Sequence, residues 1–409
     1  MAGQIGQQID SIYRQSAPRI RAALVRLLGG FELAEEALHD AFVEAARDWP
    51  AKGVPWNPES WLISAGRFRT IDRLRRRSLL DRQRDDLAYL TGLGLDVEDD
   101  PVVIEDDMLR LVFTCCHPVL PDEARIAMAL REVCGLTTED IARAFLTTPS
   151  TIAQRIVRAK ARIRRQNIPY IVPEGPELAA RMETVLAVVY LLFNEGYARA
   201  GAAERLCDDA IHLGRLIAQM LPDPECLGLL ALLLVQHSRR HARLTPGGDL
   251  VLLADQDRSL WDQQMIGESE SLMRTVMASG EIGAYGLQAS IALCHAKAPT
   301  IKETDWRRIL SLYDLLMQAS PSHVVALNRA VAVAEVHGPD IALPIVEALM
   351  DDPAMRRYHA THIVAADLLR RLGRPQQARD RYESARLLAN ERHERDFITS
   401  RLDMISQGD

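Results

Sequence analysis

Apolar residues return along this chain mostly every third or fourth position, the spacing of one helix face. Ala34, Ala37, Leu38, Ala41, Phe42 and Ala45 follow that rule and predict a helix. A proline-containing loop, Trp49 to Pro58, interrupts the pattern. A second helix is predicted from about Pro58, with Glu59 in its first turn. Trp61, Leu62, Ala65, Phe68, Ile71 and Leu74 form its apolar side, with Phe68 expected to face inward. Its other side bears Arg67, Arg69, Arg73, Arg75, Arg76 and Arg77, offset only by Asp72.

The pattern changes at about residue 81. Between 81 and 105 stand Asp85, Asp86, Asp96, Glu98, Asp99, Asp100 and Glu105, with Gly92 and Gly94 among them. So acidic a stretch, poor in large apolar groups, buries too little surface to offset its ordering entropy and reads as a linker. Helical periodicity resumes at 106. Ala124 to Val133 is predicted helical and closed by Gly135, and Thr137 to Phe145 forms a further short helix. A polar turn, Leu146 to Pro149, then leads into a basic helix with Ser150 as the expected N-cap. Helix, short turn, basic helix is the order of a helix-turn-helix. Ala142 would sit at the crossing, and Ile141, Phe145, Ile152 and Ile156 would close the core. Ser150, Thr151, Gln154, Arg155 and Arg158 would face a major groove, where Gln and Arg read base edges. Lys160, Arg162, Arg164 and Arg165 suit phosphates.

Pro169 and Pro173 mark a boundary. From 174 to 409 no strand pattern occurs. Ala330 and Ala366 are 36 residues apart, as are Ala342 and Ala378, and Gly373, Ala378, Tyr382 and Ala385 follow at short intervals. Small residues at fixed positions let antiparallel helices approach, with an aromatic filling the space beside them. That spacing is close to the roughly 34 residues of a tetratricopeptide repeat. The segments around Ala187–Tyr197 and Ile291–Tyr313 read as degenerate hairpins.

Charge alters the functional picture only when it is placed along the chain. The 409 residues hold 49 Lys and Arg against 56 Asp and Glu, a net −7 that by itself speaks against a nucleic-acid partner. Yet the cations gather in two stripes, Arg67–Arg77 and Arg155–Arg165, and the acids gather between them. Six cysteines do not make a disulfide framework, and Cys115, Cys116 and His117 lack a second ligand pair, so no metal and no cofactor is expected. No apolar run is long enough for a membrane span, and no signal peptide is read, so a cytoplasmic protein is expected. Phosphate-loop, HExxH and GxSxG motifs are missing, and no nucleophile–base pair can be assigned, which speaks against an enzyme.

The residues Ala34-Glu35-Glu36-Ala37-Leu38-His39-Asp40-Ala41-Phe42, Trp61-Leu62-Ile63 and Arg69-Thr70-Ile71-Asp72-Arg73-Leu74-Arg75-Arg76 resemble the core of bacterial extracytoplasmic-function sigma factors. The helix-turn-helix over 137–165 resembles their second domain, and the likeness covers about 10–168. Phe113-Thr114-Cys115-Cys116-His117-Pro118, Phe193-Asn194-Glu195-Gly196-Tyr197 and the run Asp249 to Asp262 resemble a subgroup with a tetratricopeptide-like C-terminal extension. The resemblance implies an all-α chain of four parts. These are a region 2 domain over 9–80, the acidic linker over 81–105, a region 4 domain over 106–170, and a helical-repeat regulatory domain over 174–409.

It also implies roles. Glu35, Glu36, Asp40 and Phe42 fall in the helix that docks on the β′ clamp helices of core RNA polymerase, whose β flap is a further expected contact. Trp61, Arg67, Arg69, Asp72, Arg73 and Arg76 fall in the part that recognises and melts the −10 element. Ser150, Thr151, Gln154, Arg155, Arg158 and Lys160 fall in the part that binds the −35 element. One departure is the run Gly66-Arg67-Phe68-Arg69, where many relatives have Asn in place of Phe68. The segment 247–262 reads in two ways. Asp249, Asp255, Gln256, Asp257, Arg258, Trp261 and Asp262 could form a regulatory or interdomain site for a protein or small ligand, or a turn and capped helix with ordinary ion pairs. The competing function is a helix-turn-helix regulator with a repeat scaffold that binds duplex DNA without polymerase.

Overall fold

The computed structural model describes residues 2–81, 104–145, 147–198, 204–245, 251–389 and 392–407. The acidic linker, apart from its ends, and Asp249 lie outside them. The described residues are helical, with no strand. They form two compact units, Met1–Leu216 and Ile217–Asp409. The first unit runs on past Pro173 and takes in the helical residues up to Leu216.

In the first unit α1 (Ala2–Leu28), α2 (Phe31–Lys52) and α3 (Pro58–Asp81) form one helical cluster. The second half of α1 is buried almost all round: Ile20, Ala22, Ala23, Leu24, Val25 and Leu28 show at most 2% of their surface. A helix apolar on every side must be enclosed by neighbours, and α1 lies against α2 and α3 as well as α4 (Ile104–Cys115). Gly66 of α3 meets the backbone of Ala37 on α2 so closely that a Cβ would stand 2.7 Å from the Ala37 carbonyl oxygen. Trp49, at the end of α2, is fully buried with its ring edge-to-face on Trp61 at 5.3 Å.

Next come α5 (Asp122–Glu132), α6 (Thr138–Ala144) and α7 (Pro149–Arg165). Thr137 and Asp140 start α6 with reciprocal bonds: the Asp140 N–H donates to Thr137 Oγ1 at 3.1 Å, and the Thr137 N–H donates to Asp140 at 3.3 Å. Thr148, not Ser150, caps α7; its hydroxyl accepts from the Thr151 N–H at 3.3 Å. Pro149 explains the shift, because a proline at the first helical position sacrifices no bonded N–H. The unit ends with α8 (Pro176–Ala198), which packs on α4 and α5, and most of α9 (Glu204–Met220).

The second unit is a succession of antiparallel helices. Central α10 (Pro224–His237), apolar on all faces, is covered by α11 (Gln263–Ala278) and α12 (Ala284–Lys297). Beyond α13 (Trp306–Ala319) come the hairpins α14 (His323–His337) with α15 (Pro339–Leu349) and, after the single turn α16 (Pro353–Arg356), α17 (His359–Arg371) with α18 (Pro375–Leu388). The last helix is α19 (Arg392–Gln407). Ala330, Ala366, Ala342 and Ala378, the residues of the 36-residue spacing, are all completely buried, and Tyr382 fills the space beside Ala366 and Ala385.

Candidate nucleic-acid interface

The basic helix α7 has two distinct faces. Ile152, Ile156, Ala159 and Ile163 are buried at spacings of three and four and fix the helix on its neighbours. Ile141 and Ala142 on α6 are buried opposite them, as a helix-turn-helix requires. Ser150, Gln154 and Arg158 stand exposed on the other side, and Thr151 and Arg155 are half-buried at its margin. Arg155 is held by Glu123 of α5 at 2.7 Å, an ion pair that orients the guanidinium along the helix edge. Val157 is 65% exposed among the residues expected to face a major groove. Periodicity overlooked it because a valine in an amphipathic helix counts as core; only its place on the polar side marks it. An exposed methyl-bearing side chain on such a face suits the C5-methyl group of thymine.

The α2–α3 pair carries the second stripe. Arg69 pairs with Glu44 at 2.5 Å, and Arg73 spans Glu36 at 2.6 Å and Asp40 at 3.2 Å. Arg76 pairs with Asp72 one turn back at 2.7 Å. The two residues expected at polymerase and the arginine expected at DNA are thus joined within one domain. Arg67 is half-buried and its Nε has no hydrogen-bond partner. Phe68 reverses the expectation of an inward ring: it is 69% exposed. Leu62, Ile63, Gly66 and Thr70 take the inner face, and position 68 falls outside that arc. Phe42 is corrected in the other direction. It is buried edge-to-face on Tyr13, ring centroids 5.0 Å apart, so it supports the helix from within rather than standing on a docking face. Trp61 is half-buried on Trp49. Trp56, in the loop before α3, was not singled out in the sequence and is 98% exposed. A fully exposed Trp beside an Arg-rich helix is the type of group on which an unpaired base stacks.

The basic flank of α7 is tied to the acidic side of α2 inside the first unit. Lys160 of α7 donates to Glu35 of α2 at 3.1 Å and to buried Glu132 of α5 at 3.0 Å, and lies 5.6 Å from the centre of the Phe31 ring. Burial pushes the Glu35 carboxyl up, but the Lys160 ammonium prevails and holds it below the usual range. Burial likewise lowers Lys160, and Glu132 with Glu35 overrides it and raises it. Arg164 pairs with Glu32 at 3.1 Å.

In the second unit the segment 251–262 acts as a brace. The Asp257 carboxylate accepts from the Ser259 N–H, and Asp262 caps α11 by accepting from the N–H groups of Gln264 and Met265. Arg240 pairs with Asp262 at 3.1 Å. Gln256 donates to the Val251 carbonyl at 3.0 Å. Arg258 reaches the carbonyls of His295 and Ala298 at the end of α12, and its guanidinium lies 4.7 Å from the ring centre of buried Trp261. Asp255 is exposed. The turn-and-capped-helix reading therefore describes these contacts. Burial, with Arg239 and Arg258 nearby, pushes His295 down to about 4. All six cysteines are free, and among the described residues no cluster of His, Cys, Asp and Glu is arranged to hold a metal. No helix among them is long and apolar enough to cross a membrane.

Comparison with known proteins fits this geometry. Residues 12–79 match sigma-70 region 2, residues 110–163 match sigma-70 region 4, and residues 181–277 match a family of unknown function, DUF6596. An uncharacterized protein of Rhizobium meliloti (strain 1021) is 40% identical over 412 residues, covering 97% of this chain and 96% of that one. Among solved structures, yeast Tom70 aligns at 12% identity over 99% of this chain and 86% of its own, with a TM-score of 0.39. A tetratricopeptide-repeat protein of Thermus thermophilus aligns at 16% identity over 54% of this chain and 99% of its own, with a TM-score of 0.35. Scores that low carry no argument, and the repeat character rests on the buried alanines described above.

Proposed function

The chain belongs to the sigma-70 family of sigma factors, proteins of transcription initiation, and from that premise we propose that it binds core RNA polymerase and directs it to a −10/−35 promoter pair. The two-faced helix α7 carries the reading. Four buried apolar residues fix its depth, while Ser150, Gln154, Val157 and Arg158 are presented outward on a capped helix that can enter a major groove. Thr151 and Arg155 flank them, and Lys160 with Arg164 supplies phosphate contacts. On α3, Arg67, Arg69, Arg73 and Arg76 would follow the backbone of the −10 element, with Trp61, Phe68 and Trp56 offering rings to unstacked bases. Glu35, Glu36 and Asp40 on the outer side of α2 would meet the polymerase clamp, supported from behind by Phe42. In this reading catalysis belongs to the polymerase, the protein works in the cytoplasm, and the extension governs when the sigma regions engage.

The test is Arg155→Ala together with Arg158→Ala, assayed in holoenzyme on promoters altered at −35. Loss of discrimination at −35 with −10 recognition retained supports the placement. Unchanged −35 discrimination overturns it.

A further inference from the structure

The acidic side of α2 and the basic flank of α7 are partners of each other in the free chain. We propose that this packing is a closed state, latched by the first two helices of the extension, which must open before the chain can engage polymerase and both promoter elements. The proposal rests on the sigma reading above and adds how that activity is held back.

Size alone requires an opening. The −10 and −35 elements lie about 25 base pairs apart by their names, or roughly 85 Å at about 3.4 Å per base pair. A compact unit of 216 residues has a radius of gyration of about 17 Å, hence a diameter of roughly 45 Å. With α3 and α7 in one such unit, the chain cannot reach both elements at once. The 22 residues 82–103 between the two regions would allow a separation of up to about 75 Å when extended.

The contacts show what is withheld meanwhile. Lys160 and Arg164, placed to meet DNA phosphates, are spent on Glu35 and Glu32. The same bonds occupy the acidic side of α2 where polymerase would dock. Outward reading residues such as Gln154 remain exposed, so closure blocks polymerase and phosphates rather than the base-reading edge. The exposed Arg164–Glu32 pair is of the weak, salt-sensitive kind that a competing charged surface can exchange, whereas Lys160, itself mostly buried, keeps Glu132 as a second partner within region 4 when it lets go of Glu35.

The latch is formed by α8 and α9. The first packs on α4 and α5 of region 4. The second grips region 2: Arg205 bonds Ser16 of α1 and Glu59 in the first turn of α3, and Asp209 pairs with Arg19 of α1. Of these two residues of α9, Asp209 is buried and Arg205 half-buried. Between them these two helices touch both sigma regions.

The test uses the full-length chain with Glu32→Cys and Arg164→Cys, joined by a reducible bismaleimide linker. Wild type receives the same treatment as a control. The linker should form in the free protein, and the joined chain should give promoter-specific transcript with core polymerase at roughly a tenth or less of the level that the reduced chain gives. Reductant should restore it. Failure of the link to form in the free chain overturns the closed state, and so does a joined chain that transcribes as well as the reduced one. If the reduced pair is itself inactive, Arg19→Cys with Asp209→Cys takes its place, since those residues lie outside the docking and reading faces, and the same outcomes decide. Absence of any transcript from untreated wild type would instead overturn the sigma reading, and the proposal with it.

Discussion

Replacing Gly66 by alanine measures how closely α3 must lie on α2. The new Cβ would stand 2.7 Å from the carbonyl oxygen of Ala37 and 3.1 Å from its carbon, and both atoms are backbone. Ordinary contact begins at 3.4 Å, so the helices must part by about 0.7 Å. Alanine gains about 1 kcal/mol over glycine in helix propensity. Overpacking costs about 1–3 kcal/mol, and a rigid backbone obstacle belongs at the upper end. The net expectation is a loss of about 1–2 kcal/mol, confined to the α2–α3 pair. Arg73, which depends on that spacing to reach Glu36 and Asp40, would loosen with it. Hydrogen exchange of the full chain is the assay, because a multi-unit protein has no single unfolding free energy. Peptides from α2 and α3 should exchange roughly 5–30 times faster, with those of α17 and α18 unchanged as an internal control. Unchanged or slower exchange in α2 and α3 would refute the reasoning, since it would mean that the helices part without cost.

Three further outcomes follow from particular side chains. Trp56→Ala should leave closed-promoter binding intact and weaken strand opening, by about 1–3 kcal/mol if one base stacks on the ring; permanganate footprinting checks it, and equal opening by wild type and variant contradicts it. Val157→Ala should remove the protein's sensitivity to replacing thymidine by deoxyuridine in the −35 element, a change that deletes only the methyl group; a wild type indifferent to that replacement at every position refutes the contact. His295 is neutral in the fold down to about pH 4 but takes a proton near 6.5 when unfolded, so the unfolded chain binds more protons between those values. Stability of the second unit should therefore be complete above about pH 6.5 and decline by up to ~3 kcal/mol as pH falls toward 4. His295→Gln should flatten that decline, and an equally steep profile in the variant would show that other groups cause it.

The helices were legible because their apolar residues repeat with one period, and the repeat hairpins because alanines 36 residues apart have to be small where helices cross. The stripe on α7 was legible for the same reason: its buried isoleucines leave Gln154 and Arg158 only one side to occupy. Three features escaped. Phe68 was misplaced because hydrophobicity says that a ring prefers burial; Phe42, which stands in the apolar repeat of α2, follows that rule, and only the resemblance had set it among the docking residues. The cap fell on Thr148 because Pro149 fits the first helical turn better than the turn before it. The pairing of Lys160 with Glu35 and Glu132 joins residues up to 125 positions apart, and no local pattern encodes a contact at that range. The same holds for the brace around Trp261, where Arg258 reaches carbonyls up to 40 positions away.

Reconstituted transcription tests the central claim most directly. Purified full-length chain is added to core RNA polymerase with DNA carrying a promoter that depends on this protein. The account predicts a discrete transcript from that promoter that requires both proteins and is lost when the −35 or the −10 element is scrambled. Specific binding of the chain to duplex DNA in the absence of polymerase, with no transcript when polymerase is supplied, would contradict it.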